Sequence, residues 1–333
     1  MDIPARSSSA TVVVTGASSG VGRAVARAYG ARGAKVGLLA RNTEALHACA
    51  AEIREAGGEA LVCPIDVSDA DAVERAASLV EEDLGPIDTW INVAMATVFA
   101  PVIEMTAAEY RRVTDVTYLG YVHGTLSALR RMRPRDRGTI VQVGSALAYR
   151  SIPLQSAYCG AKSAIRGFTD SLRCELIHDG SHVRLTHVHL PAVNTPQSLR
   201  QRNKMPKQQQ PVPPMFMPES IADGILWAAD HAPRELLLGL QTTAAVWGQK
   251  FIPGLLDTHL AFAAWERQFV DEPNGQGGDI LFDTLAGDPG AHGPYRHRER
   301  GPDLQMQLRL QPMATAAAAV ALLIGGAAVL LKR

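Results

Sequence analysis

Cysteine is scarce in this chain of 333 residues. Cys49, Cys63, Cys159 and Cys174 form no C-x-x-C pair and stand near no histidine set of zinc-ligand type. A disulfide framework and a cysteine-based metal site are therefore not expected, no metal is predicted, and the thiols are read as free in a reducing compartment. Aromatic residues make up only 5% of the sequence, and no basic stripe carries them. Net charge is also lacking: 33 basic residues balance 33 acidic ones. A polyanion would meet no overall attraction, so nucleic acid is not an expected partner. The stretch from Met1 to Ala10 is short and polar, without the apolar core that a secretory signal needs. It is expected to be flexible. What the sequence does have is 47% hydrophobic residues, enough for one large domain with additions.

The β-branched run from Thr11 to Val14 predicts a buried strand. It leads directly into Thr15-Gly16-Ala17-Ser18-Ser19-Gly20-Val21-Gly22 and a helical segment from Arg23 to Arg32. Glycines let a backbone take left-handed angles and approach a pyrophosphate, and the helix amino terminus adds unpaired N–H groups. In this first strand–turn–helix unit, Gly16, Ser18, Ser19, Gly20, Val21 and Gly22 are candidate cofactor contacts. The next strand, Lys35 to Leu39, ends in Ala40-Arg41-Asn42 with no acid to hold a ribose 2′-hydroxyl. Arg41 offers a permanently charged fork suited to a 2′-phosphate, which predicts NADP(H) in preference to NAD(H). The plain alternative is a solvated arginine at a strand end.

Helix from Thr43 to Ala56, strand from Ala60 to Ile65, helix from Asp69 to Leu84 and strand from Ile87 to Val93 continue the alternation. The rhythm predicts an α/β fold with a doubly wound parallel sheet and helices on both faces. Asp66 and Val67 follow the third strand, where Asp66 is a candidate acceptor for an adenine amino group or else a turn acid. Thr106 to Arg133 reads as a long helical stretch, interrupted or strained around Thr117 to Gly124. The strand from Thr139 to Val143 delivers Gly144-Ser145 at its carboxyl end, where open α/β sheets bind ligands. In Ser156 to Lys162 the spacing puts Tyr158 and Lys162 one helical turn apart on a shared face. A lysine ammonium held there lowers the phenol's pKa and makes Tyr158 a candidate general acid.

After the strand from Arg184 to Leu190, Thr195 is placed to meet a nicotinamide carboxamide, or is a turn threonine. The Gln-, Pro- and Met-rich stretch from Gln197 to Pro218 is expected to hold no packed element and to form a mobile flap. Leu147, Tyr149, Met215, Phe216 and Met217 predict an apolar substrate pocket. Helix from Pro218 to Ala229 and strand from Glu235 to Leu240 complete a catalytic domain over 11–240. Residues 241–270 read as a helical extension and 271–312, dense in Gly, Pro, His and Arg, as a polar linker. Residues 313–331 carry no charge and precede Lys332-Arg333. Their length matches the ~20 residues of a bilayer-spanning helix. They read as a membrane anchor; because alanine dominates them and Gly325-Gly326 lie at their middle, a docked alanine-rich helix is the other reading.

These residues, in this order, resemble the short-chain dehydrogenase/reductase family, in the branch with TGxxxGxG and YxxxK motifs. The resemblance runs from about Thr11 to Leu240, through Gly16 to Gly22, Arg41, Asp66, Asn92, Ser145, Tyr158, Lys162 and Pro191 to Thr195. It implies a Rossmann-like sheet of about seven strands, a nicotinamide cofactor, hydride transfer to or from a carbonyl or alcohol, and a homodimer or homotetramer built through the long central helices. It further implies that Ser145 orients the substrate oxygen and that Lys162 binds the nicotinamide ribose. Val93 and Met95 depart from the family's Asn-Asn-Ala-Gly, and Thr117 stands where the family has a catalytic Asn. The expected function is NADP(H)-dependent oxidoreduction with a catalytic domain in the cytoplasm. The alternative, motivated by Val93, Met95 and Thr117, is a nucleotide-binding scaffold or redox sensor with little turnover.

Overall fold

The computed structural model describes residues 10–275 and 278–310. The amino-terminal residues 1–9 and the apolar tail 313–333 lie outside the described residues. Among the described residues no helix is long and apolar enough to cross a membrane.

The central sheet is built from β1 (Thr11–Thr15), β2 (Lys35–Ala40), β3 (Glu59–Pro64), β4 (Ile87–Asn92), β5 (Thr139–Ser145), β6 (Arg184–Leu190) and β7 (Glu235–Leu237). Its order is β7-β6-β5-β4-β1-β2-β3, seven strands with every pairing parallel. Strands covered on both faces need continuous apolar sequence rather than alternation. Val12, Val13 and Val14 meet that need, each fully buried. Helices α1 (Gly20–Gly30) and α2 (Thr43–Glu55) close one face, and α3 (Ala70–Leu84) closes the other. The chain reverses its winding between β1 and β4, so the carboxyl ends of these neighbours open a crevice.

The expected long helix is divided. α4 (Ala107–Thr114) opens with a capping box of Thr106 and Glu109, a wide π-turn spans Asp115–Leu119, and α5 (Gly120–Met132) follows. α6 (Ser156–His178) packs beside them, and α7 (Pro218–His231) covers the α1 face. Further helices span Leu240–Phe251 and Pro253–Arg267.

Two expected loose segments are packed instead. The 197–218 stretch, read as a mobile flap, contributes Arg202–Asn203 beside Val98–Phe99, Lys207–Gln209 antiparallel to Phe269–Pro273, and Met215–Phe216 beside Glu299–Arg300. The 271–312 stretch, read as a polar linker, runs back over the domain as a strap. Leu281, Ala291, Tyr295 and Met306 are buried along it, and its carbonyl groups accept hydrogen bonds from Arg41 and Asn42 after the second strand and from Arg112 on α4. Few apolar anchors joined by carbonyl contacts leave a polar composition that sequence alone reads as solvated.

Candidate active site

One cleft joins the glycine turn to the Tyr158 helix. Gly16, Ser18, Ser19, Val21 and Gly22 line one part, Arg41, Asp66 and Val67 another, and Ser145, Tyr158, Lys162 and Thr195 a third. The β1–α1 turn is shaped by close approach. Gly16 has φ +69°, and a Cβ on it would lie 2.9 Å from the Ala94 Cα, while one on Gly22 would strike the Gly16 carbonyl.

Gly20, Asn92 and Thr117, all expected at the site, do not line the cleft. The Gly20 N–H donates to the Gly290 carbonyl of the strap at 3.1 Å. Asn92 points into a buried polar cluster: its amide donates to Gln142 Oε1 at 3.0 Å and Thr125 Oγ1 at 3.2 Å, and its oxygen accepts from Trp90 Nε1 at 2.9 Å. The Thr117 hydroxyl accepts from the Ala96 N–H and donates to the Ala96 carbonyl, both at 2.8 Å. It ties the π-turn to the loop after β4 and reaches neither Tyr158 nor Lys162. Val93 and Met95 do face the cleft.

The apolar pocket expected from Met215 and Phe216 is not there. Both are buried, Phe216 within the core under α7, and the Tyr149 hydroxyl donates to Glu235 at 2.7 Å. Instead the cleft gains Gln197 and Arg200 after β6, and Ile280, Thr284, Leu285 and Pro289 from the strap. The Arg41 guanidinium donates to the Phe282 carbonyl at 2.7 Å and to the Ile280 carbonyl, and Asn42 donates to Leu285 and Gly287 carbonyls. Burial, then the charge of Arg112, lowers the pKa of Arg41. For Asp66, burial pushes the carboxyl up, but Arg112 at 2.5 Å and Ser68 outweigh it and hold it below the ordinary value.

At the Tyr158 end, Lys162 is 2% exposed. Its ammonium donates to the Tyr121 hydroxyl at 2.9 Å and the Val143 carbonyl at 2.7 Å, and lies 5.6 Å from the centre of the Tyr158 ring. Burial without a carboxylate partner pushes Lys162 down to about 7. The expected lowering of Tyr158 is reversed here: burial raises the phenol, and the Ser145 hydroxyl offsets only part of that rise. Ser145 Oγ also accepts from the Leu147 N–H at 3.1 Å.

Behind Ser145, His187, His189 and Glu235 converge within 4.8 Å, a cluster no spacing in the sequence foretells. The Glu235 carboxylate already accepts from Tyr149 and pairs with Arg234 at 3.4 Å, and burial first, then His189 and the cations Lys162, Arg173 and Arg166, lower the pKa of His187. That field disfavours a bound cation. Tyr121 and the strap were likewise not legible. Tyr121 is one more apolar-face residue of a helix until Lys162 is placed against it.

An open parallel sheet with a glycine turn on its first strand, and Ser145, Tyr158 and Lys162 at the mouth of its crevice, defines a dinucleotide-binding oxidoreductase. The family model described as short chain dehydrogenase matches residues 10–206, and the chain belongs to that family. It is 33% identical to the uncharacterized oxidoreductase YxnA of Bacillus subtilis over 83% of this chain and 78% of that protein. It is 28% identical to a fatty acyl-CoA reductase of Acinetobacter baylyi over 70% of this chain and 77% of that protein. Against the uncharacterized oxidoreductase Rv1543 of Mycobacterium tuberculosis the identity is 38%, but the match spans only 55% of that protein. Among solved structures, an alcohol dehydrogenase from Thermococcus sibiricus complexed with 5-hydroxy-NADP superposes with a TM-score of 0.59 at 26% identity, over 69% of this chain and 95% of that one. The family's members bind nicotinamide cofactors and act on small molecules.

Proposed function

We propose that this protein transfers a hydride between NADP(H) and a carbonyl or secondary alcohol on a largely apolar substrate. The carrying observation is that Ser145, Tyr158 and Lys162 line the same cleft as Gly16, Ser18, Ser19, Val21, Gly22 and Arg41. The residues fit a dinucleotide phosphate: the turn is closed so tightly that a Cβ on Gly22 would strike the Gly16 carbonyl, and Arg41 and Arg200 line the cleft with no acid at the end of β2. Arg41 keeps further N–H groups beyond those that the strap engages. The Thermococcus sibiricus structure, bound to an NADP derivative, supports the same choice. When bound, the nicotinamide supplies the hydride donor or acceptor carbon. Ser145 then donates to the substrate oxygen, Tyr158 gives that oxygen its proton in reduction and takes it back in oxidation, and Lys162 holds the nicotinamide ribose.

Burial keeps Tyr158 a neutral phenol, the form that can donate. Val93, Met95 and Val193 give the mouth an apolar wall. The rival reading, a nucleotide-binding scaffold, draws on the strap's hold on Arg41. Turnover separates them: a panel of ketones and aldehydes should consume NADPH faster than NADH, and Tyr158→Phe should abolish consumption while NADPH still binds. Binding without turnover in the unaltered protein favours the scaffold.

For assembly we propose pairing through α5 and α6, whose outer faces form a groove lined by Leu126, Leu129, Phe168 and Leu172. A monomer by light scattering refutes it. For residues 313–331 we propose a membrane anchor on sequence grounds. The full chain should then resist salt and alkaline extraction from membranes, and a chain without 313–333 should not.

A further inference from the structure

We propose that Tyr121 is the positioning residue of this site: its phenol oxygen holds the Lys162 ammonium in place beside Tyr158. The inference rests on the function proposed above and deepens it. Lys162 sits in the interior with no carboxylate among its contacts, so its orientation depends on dipoles. An ammonium has three N–H groups to place. One goes to the Val143 carbonyl at 2.7 Å and one to the Tyr121 oxygen at 2.9 Å. What remains is available to the cleft, which Lys162 lines.

The phenol cannot turn away from this role. Its own proton is committed to the Val143 carbonyl at 2.8 Å, so its lone pairs are left for Lys162. Its ring adds to the hold, with Nζ 4.6 Å from the ring centre. Tyr121 is 1% exposed and stays neutral, because burial and then the neighbouring Tyr158 push its ionisation up. It therefore acts as a dipole and not as a counter-ion. Nor is it a proton relay, since its hydrogen ends on a main-chain carbonyl.

Thr117, one turn earlier on the same helical stretch, is the residue that resemblance would have put in this supporting place. Its hydroxyl is engaged on both sides by Ala96. Thr117 lies within the π-turn at Asp115–Leu119 and Tyr121 just beyond it; the wider turn re-phases the helix, so that Tyr121 and not Thr117 faces Lys162. A filler would explain the Tyr121 ring but not its hydroxyl. That oxygen touches Lys162 and Val143, and a phenylalanine would pack as well.

The groups facing Lys162 are Tyr121 on α5, Tyr158 on α6, the Val143 carbonyl on β5 and His187 on β6, whose own pKa Lys162 helps lower. A neutral oxygen accepting from an ammonium favours the charged form. Removing it should make Lys162 easier to deprotonate by roughly tenfold, the scale of one hydrogen bond to a charged group.

The test is an NMR titration of the cofactor-free full chain with lysine labelled at Cε, the Lys162 signal being identified by its loss in Lys162→Met. In Tyr121→Phe the Lys162 midpoint should fall by about one pH unit. An unmoved midpoint overturns the proposal. In turnover, the alkaline limb of kcat/KM for NADPH should move to lower pH in Tyr121→Phe and stay in place in Thr117→Val; the opposite pattern also overturns it. Should Tyr121→Phe fail to fold, ortho-fluorotyrosine at 121 weakens the same acceptor without removing it, and the midpoint must still fall. If the unaltered protein turns over no carbonyl, the function proposed above fails, while the NMR midpoint still decides the role of Tyr121.

Discussion

Lys162 is a cation held by a phenol, a carbonyl and two ring faces, and this arrangement has a stability consequence of definite sign. Its folded pKa, about 7, lies below the ordinary lysine value of 10.5. Between those values the unfolded chain binds more protons, so Lys162 costs stability at neutral pH, and that cost falls as pH rises toward 10.5. Lys162→Met should therefore raise the melting temperature of the cofactor-free protein at neutral pH, by about 1–4 kcal/mol of stability, while abolishing turnover. A lower melting temperature would show that the ammonium stabilises the fold. Arg41→Ala removes a charge-assisted phosphate contact and should narrow the NADPH-over-NADH preference by about 2 kcal/mol, measured as the ratio of dissociation constants. Equal affinities in the unaltered protein would end that argument. Tyr158, Lys162 and Ser145 were legible in the sequence because a four-residue helical spacing and a strand end are local. Asn92 was legible in position but not in direction: its polar partners, Trp90, Thr125 and Gln142, come from two strands and a helix, and a linear reading cannot say which way an amide turns.

At the scale of elements, the parallel sheet and its helices were readable because the strands are short, mostly apolar runs, rich in buried β-branched residues in β1, β4 and β5, that alternate with helical segments. The segments 197–218 and 271–312 were not readable for an equally physical reason. Their strands are two to five residues long. Their partners lie far along the chain, and no periodicity develops over such lengths. The strap is fastened at Arg23, a buried side chain gripped by both Glu52 and Asp288. Asp288→Ala leaves Arg23 with Glu52 alone and loosens the strap where it crosses the amino end of α1. Since Asp288 is partly solvated, the loss should be modest, about 1 kcal/mol. Limited proteolysis should cut faster within 278–300 in this variant, and NADPH should bind several-fold more weakly. Unchanged cleavage and affinity would mean that the Arg41 and Asn42 contacts suffice to hold the strap.

For the whole molecule, the catalytic domain read over 11–240 meets a structure in which the later residues complete the core. Met306 and Ala291 belong to the apolar cluster under α1 and α7, and Leu281 packs with Val98 and Val113. Buried Met306 and Leu281 each contribute about 1.5–3 kcal/mol, and Ala291 less. A chain ending at Asp271 should thus melt well below the full protein or aggregate, whereas one ending at Leu310 should keep its melting temperature. If the shorter chain is as stable as the full one, the strap is an ornament on a finished domain. The same arrangement governs the order in which the molecule can be made. Arg23 and Asp288 are 265 residues apart and Arg41 and Phe282 are 241 apart. During synthesis the glycine turn leaves the ribosome long before the strap that closes over it, by more than the separation of Arg41 and Phe282. Contacts of such separation form late. The nascent protein therefore carries an open nucleotide crevice until the strap has been made, and the cleft takes its final shape only once Ile280 to Pro289 have been added.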